Sequence, residues 1–158
     1  MWILRWPAAL LTLAVAILCA LLAAGAAADR LGLMIDHEVW RAFALQAANT
    51  TWIENALWAG ASLFFLIAAV RLMRRSFGFW AWAIGFALYG ARWWMMRRAE
   101  GGLPVDIAEI SSVEEARAAA VTASGDPGLV ALAALAVLGL VILIIDAADR
   151  AYRNRDEA

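Results

Sequence analysis

The chain has no lysine, one cysteine and one histidine, and charged residues make up only 17% of its 158 positions. Each shortage closes off a class of function. Cys19 stands alone in an apolar stretch, where it can close no internal disulfide and join no thiolate cluster, so it reads as a small buried hydrophobe. His37 is flanked by Asp36 and Glu38. Consecutive residues on a helix point in different directions, so these three do not converge on one metal and instead mark a solvated helix start. Ser111 and Ser112 have no histidine in their own loop, and Gly101-Gly102 lacks both the flanking strand and the lysine of a phosphate loop. A formal net charge of −1 supplies no basic face to neutralise phosphates, which argues against a nucleic-acid partner. The expectation is no catalytic, cofactor-binding or metal-binding residue. All thirteen basic residues are arginine in an Ala- and Gly-rich chain, which we read as genome composition and a bacterial source.

What the chain has in quantity is apolar length. Hydrophobic residues form 65% of it, against roughly 45–50% in soluble domains. Four stretches, Trp6–Ala28, Trp52–Val70, Ser76–Met96 and Pro127–Ile145, enclose only two charges, Glu54 and Arg92. Each has about the ~17–25 residues that a helix needs to cross a hydrocarbon core of roughly 30 Å, and a helix in lipid satisfies its own backbone groups. The fold class expected is all-α: a polytopic membrane protein, one membrane domain over 1–158, with transmembrane helices over 6–28, 52–70, 76–96 and 127–150 and external loops over 29–51 and 97–126. Helix four extends past Ile145 because Asp146 with Arg150 and Asp149 with Arg153 form i, i+4 pairs.

Ala26-Ala27-Ala28 resembles a signal-peptidase site, and cleavage there would leave three helices. A retained helix is favoured by the length of the run and by small residues every four positions, Thr12, Ala16, Ala20, Ala24 and Ala28. A second such ridge is Ala83, Ala87 and Ala91 on helix three.

The connection Arg71–Arg75 is short enough to force an antiparallel hairpin, and three of its five residues are arginine. The positive-inside rule then makes this turn and both termini cytoplasmic, with Arg97 and Arg98 weighing the other way. Tryptophans fall near the span boundaries as interface anchors. Trp2, Trp6, Trp80 and Trp82 mark one face, and Trp40, Trp52, Trp93 and Trp94 the other, with Trp58 deeper. In the first external loop Asp36 caps a short amphipathic helix carrying Val39, Trp40, Phe43 and Ala47. In the second, Ser111 or Ser112 caps a soluble helix over Ala116–Ala123, and Asp126-Pro127 restarts the chain as helix four.

Glu54 and Arg92 carry the sharpest expectation, because ionisable groups inside a membrane are costly and usually paired or functional. They lie at similar distances from the hairpin turn, so an ion pair that pins helices two and three is expected. The function read from the sequence is a small non-enzymatic protein of the bacterial inner membrane, an accessory or assembly subunit whose partners are the lipid bilayer and other membrane subunits or itself. The alternative is a small oligomeric transporter or channel using Glu54 and Arg92.

Overall fold

A computed structural model of the protein describes residues 2–32, 51–99, 112 and 125–156. They form four helices: α1 (Trp2–Arg30), α2 (Trp52–Met73), α3 (Phe79–Ala99) and α4 (Pro127–Asp156). All regular structure among the described residues is helical. Three helices, α1, α2 and α4, are long and apolar enough to cross a membrane. The protein is membrane-embedded. α3 matches α2 in length, 21 residues against 22, but it carries Arg92 within its run and Arg97 and Arg98 in its last turn. The loop helices expected around Asp36 and over Ala116–Ala123 lie outside the described residues.

Three of the helices, α2, α3 and α4, start where a side chain takes free N–H groups. Thr51 is the N-cap of α2: its hydroxyl accepts from the Glu54 N–H at 3.2 Å, and the Glu54 carboxylate accepts from the Thr51 N–H at 2.9 Å. This reciprocal capping box satisfies two of the donors that every helix start leaves open. Thr51→Ala is expected to destabilise the protein by about 1 kcal/mol in equilibrium chemical unfolding. Glu54→Gln, whose amide oxygen can still accept from Thr51, should lose less. Asp126 opens α4 in the same way, accepting from Gly128 N–H at 2.8 Å and Leu129 N–H at 3.3 Å.

The turn between α2 and α3 closes as a Schellman motif. Ser76 N–H donates to the Arg71 carbonyl at 2.9 Å and Arg75 N–H to the Leu72 carbonyl at 3.2 Å. Arg75 occupies the left-handed position, φ 55°, that glycine usually fills. The end of the bundle holding this turn is the hairpin end; the other is the loop end.

The helices form a ring in which each packs on the next and α1 meets α4; among the described residues the backbones of diagonally opposed helices do not approach closely. This is an up-and-down bundle, with its closest seams between α1 and α2 and between α2 and α3. On α1 the buried face runs through Arg5, Ala9, Thr12, Ala16, Cys19, Ala23 and Ala26, steps of four and three in alternation. That spacing follows the ~3.6 residues per turn of a helix. A ridge at strict fours drifts off the face, which corrects the expected stripe: Ala20 and Ala24 point outward, as do Ala87 and Ala91 of the second ridge.

α3 packs through rings and glycines instead. Phe65 of α2 lies over Gly85, and Leu88 reaches Gly60. Trp82 stacks between Phe79 and Phe86, with centroids at 6.2 and 5.1 Å, and its far edge fills the notch left by Gly139 of α4. Trp93 fills the notch at Gly128. Trp82 and Trp93 are eleven residues apart, as are Gly139 and Gly128, so both contacts share one antiparallel register.

Candidate functional site

A buried charge cluster lies at the hairpin end, where α1 contributes Arg5. Its side chain is 6% exposed and that of Asp146 fully buried, with Arg5 Nη2 3.4 Å from Asp146 Oδ1 and Nη1 2.9 Å from Asp149 Oδ2. The second oxygen of Asp146 accepts from the N–H groups of Gly78 and Phe79, both at 2.9 Å. Those groups are the open donors at the start of α3, so α4 supplies the cap that α3 lacks in its own sequence. Two carboxylates face one guanidinium, and the positive end of the α3 dipole offsets part of the remaining negative charge. Arg150 stands 4.0 Å over the Phe77 ring at the same end. One cluster therefore ties α1, α4 and the α2–α3 turn together. Asp146 thus accepts from three donors, the Arg5 guanidinium and two backbone N–H groups.

At the loop end, Arg97 pairs with the same Asp126 carboxylate that caps α4. Arg30, at the end of α1, lies 4.7 Å over the Trp52 ring.

Between these ends sits a smaller polar group on the inner faces of α1, α2 and α3. The Arg92 guanidinium lies 3.7 Å from the Trp58 ring centroid. Cys19 and Tyr89 are within its electrostatic range. Asn55, one turn before Trp58, is buried, and neither its Oδ1 nor the Trp58 Nε1 has a hydrogen-bond partner among the described residues. A guanidinium over an indole face keeps its charge and gains a cation–π contact of about 0.5–2 kcal/mol in a desolvated setting.

Glu54, expected to pair with Arg92, closes the capping box at Thr51, and Arg92 of α3 lies over Trp58, one turn on from Glu54 along α2. The depths agree, but backbone donors at the helix start hold the carboxylate. The tryptophans divide likewise. Trp6, Trp52, Trp80 and Trp94 are exposed, Trp80 at 66%, whereas Trp82 at 4% and Trp93 at 7% are buried in the α3–α4 seam and cannot lie at the lipid surface as anchors. Trp40 and His37 lie outside the described residues.

The Arg5–Asp146–Asp149 cluster escaped sequence reading because Arg5 counts as a flanking charge and Asp146 has Arg150 at i+4. A signal existed: Asp146 continues the buried face of α4 through Leu135, Gly139 and Ile142 in steps of four, three and four. No group of three or more His, Cys, Asp and Glu side chains able to hold a metal occurs among the described residues. No family model, no curated protein and no solved structure matches this chain.

Proposed function

We propose that the chain is a four-span, non-enzymatic protein of the bacterial inner membrane, both termini cytoplasmic, which serves as an accessory or assembly subunit of a larger membrane complex. The observation that carries this reading is where the small residues point. Ala20 and Ala24 on α1 and Ala87 and Ala91 on α3 are exposed outside the bundle at four-residue spacing, the pattern that lets a further helix approach closely in lipid. α4 likewise turns Val137, Leu140 and Ile144 outward. Support also comes from the charges: Arg5, Asp146, Asp149, Arg97 and Asp126 bind one another or helix ends. A fourth span is included because α3, at 21 residues, measures about 31 Å at 1.5 Å per residue, near the roughly 30 Å hydrocarbon core. Retention of α1 belongs to this reading, since its loss would take Arg5 from Asp146 and Asp149.

The second reading, a small oligomeric transporter or channel, draws on Arg92 and on the Asn55 oxygen and Trp58 nitrogen, which have no hydrogen-bond partner among the described residues, all within the spans. Polar groups at that depth commonly mark substrate paths. Flux through the purified chain in liposomes separates the two. The accessory role predicts no saturable solute movement above that of empty liposomes. Saturable flux, lost in Arg92→Gln or Glu54→Gln while the protein remains folded, would replace it with the transporter.

A further inference from the structure

We propose that the outer face of α2 at the hairpin end binds an anionic phospholipid, its phosphate held by Arg71 and Arg74 and one acyl chain laid along Leu66, Ile67 and Val70. The inference needs α2 to lie in a membrane and is independent of the accessory role. A depression of about 420 Å³ is lined by Leu66, Ile67, Val70, Arg71, Arg74 and Ser76. Leu66, Ile67, Val70, Arg71 and Arg74 form one stripe along α2 and its C-cap, and all five face away from the bundle. Apolar side chains make the deeper part, within the span, and the two guanidiniums sit at its end, where a helix leaves the hydrocarbon. The occupant must match both halves. A phospholipid does.

The charge pattern selects the headgroup. The lining has two arginines and no carboxylate, so it suits a net negative headgroup and offers nothing to the cationic part of a zwitterionic one. Arg71 is held in place across the turn, its Nη1 donating to the Phe77 carbonyl at 3.2 Å. A guanidinium carries five N–H donors, which leaves the others for a phosphate. Arg74 is exposed, and among the described residues its guanidinium makes no hydrogen bond or ion pair. The Schellman turn fixes the backbone beneath both arginines, and Ser76 Oγ adds a hydrogen bond to the Arg71 carbonyl at 3.1 Å. A basic surface beside a span is the kind of site at which acidic lipids are recognised.

Native mass spectrometry of the full chain tests this, with phosphatidylglycerol and phosphatidylcholine of matched chains added to the detergent-solubilised protein. Phosphatidylglycerol should be retained about tenfold more strongly. The preference should vanish in Arg71→Gln/Arg74→Gln and persist in Arg98→Gln at the loop end. Because Arg71 also braces the turn, Arg74→Gln alone is included, with its melting temperature measured in parallel; it should lose most of the preference at unchanged stability. Equal retention of the two lipids, or a preference untouched by Arg74→Gln, overturns the proposal. So does displacement of bound lipid by millimolar inorganic phosphate, or equal binding of the deacylated headgroup, either of which would make this a free-phosphate site.

Discussion

Asp146→Leu is expected to destabilise the protein by about 3–5 kcal/mol, the range for stripping one partner from a buried ion pair. The change has two separable parts. Arg5, 6% exposed, keeps only the partly exposed Asp149, and the Gly78 and Phe79 N–H groups lose their acceptor. An open buried donor is worth about 1–3 kcal/mol, so the double variant Arg5→Met/Asp146→Leu should recover part of the loss but not all of it. Asp146→Asn separates the parts from the other side, since its amide oxygen can still accept from α3 while the charge is gone. The measurement is equilibrium chemical unfolding in mild detergent. Single variants within 0.5 kcal/mol of the parent, the ordinary scatter of surface changes, would mean the cluster bears no weight in the fold.

The second large effect is expected at Gly139. A Cβ there would collide with the Trp82 ring, which Phe79 and Phe86 hold in place by stacking. Gly139→Ala should therefore destabilise by about 1–3 kcal/mol through overpacking, although alanine is the better helix former. Gly128→Ala should behave similarly against Trp93. Gly90 is the internal control: a Cβ there meets only Leu132 at 3.8 Å, an ordinary contact. Gly90→Ala should be neutral or stabilising by up to ~1 kcal/mol. Trimming the ring in Trp82→Leu/Gly139→Ala should make the pair strongly non-additive. Additive losses, or equal effects at Gly90 and Gly139, would mean that Trp82 does not fill the notch.

These two sites show how much of the protein its sequence makes legible. Apolar runs of membrane length locate the helices, because nothing else accommodates so many consecutive hydrophobic side chains; α2 begins at Trp52 and α4 at Pro127, where the sequence places them. The Arg71–Arg75 connection implies an antiparallel hairpin, and one is present, with α3 beginning at Phe79. Partnership is harder to read. Glu54 looks intramembrane when the span is drawn from hydropathy alone, but Thr51 three residues earlier is the other half of a capping box, and the backbone donor at the helix start holds the carboxylate. Trp82 and Trp93 lie near the span ends as anchors should, yet their direction depends on glycines more than thirty residues away in sequence. Asp146 and Arg5 are 141 positions apart, so only the phase of each within its helix's buried face hints that they point inward.

The acid–arginine contacts at the two ends of α4 also constrain how that helix can move. Asp126 and Asp146 stand twenty residues apart with no charge between them, about 30 Å at 1.5 Å per residue, close to the thickness of the hydrocarbon core. One is latched to Arg97 and the other to Arg5 and the start of α3. Sliding α4 along its axis by one turn, about 5.4 Å, would unlatch both ends in the same stroke and drag one carboxylate into hydrocarbon. Piston motion is thereby blocked, while tilting about either latch breaks only the other. Any signal that α4 passes between the two sides of the membrane would then travel as a lever rather than as a plunger.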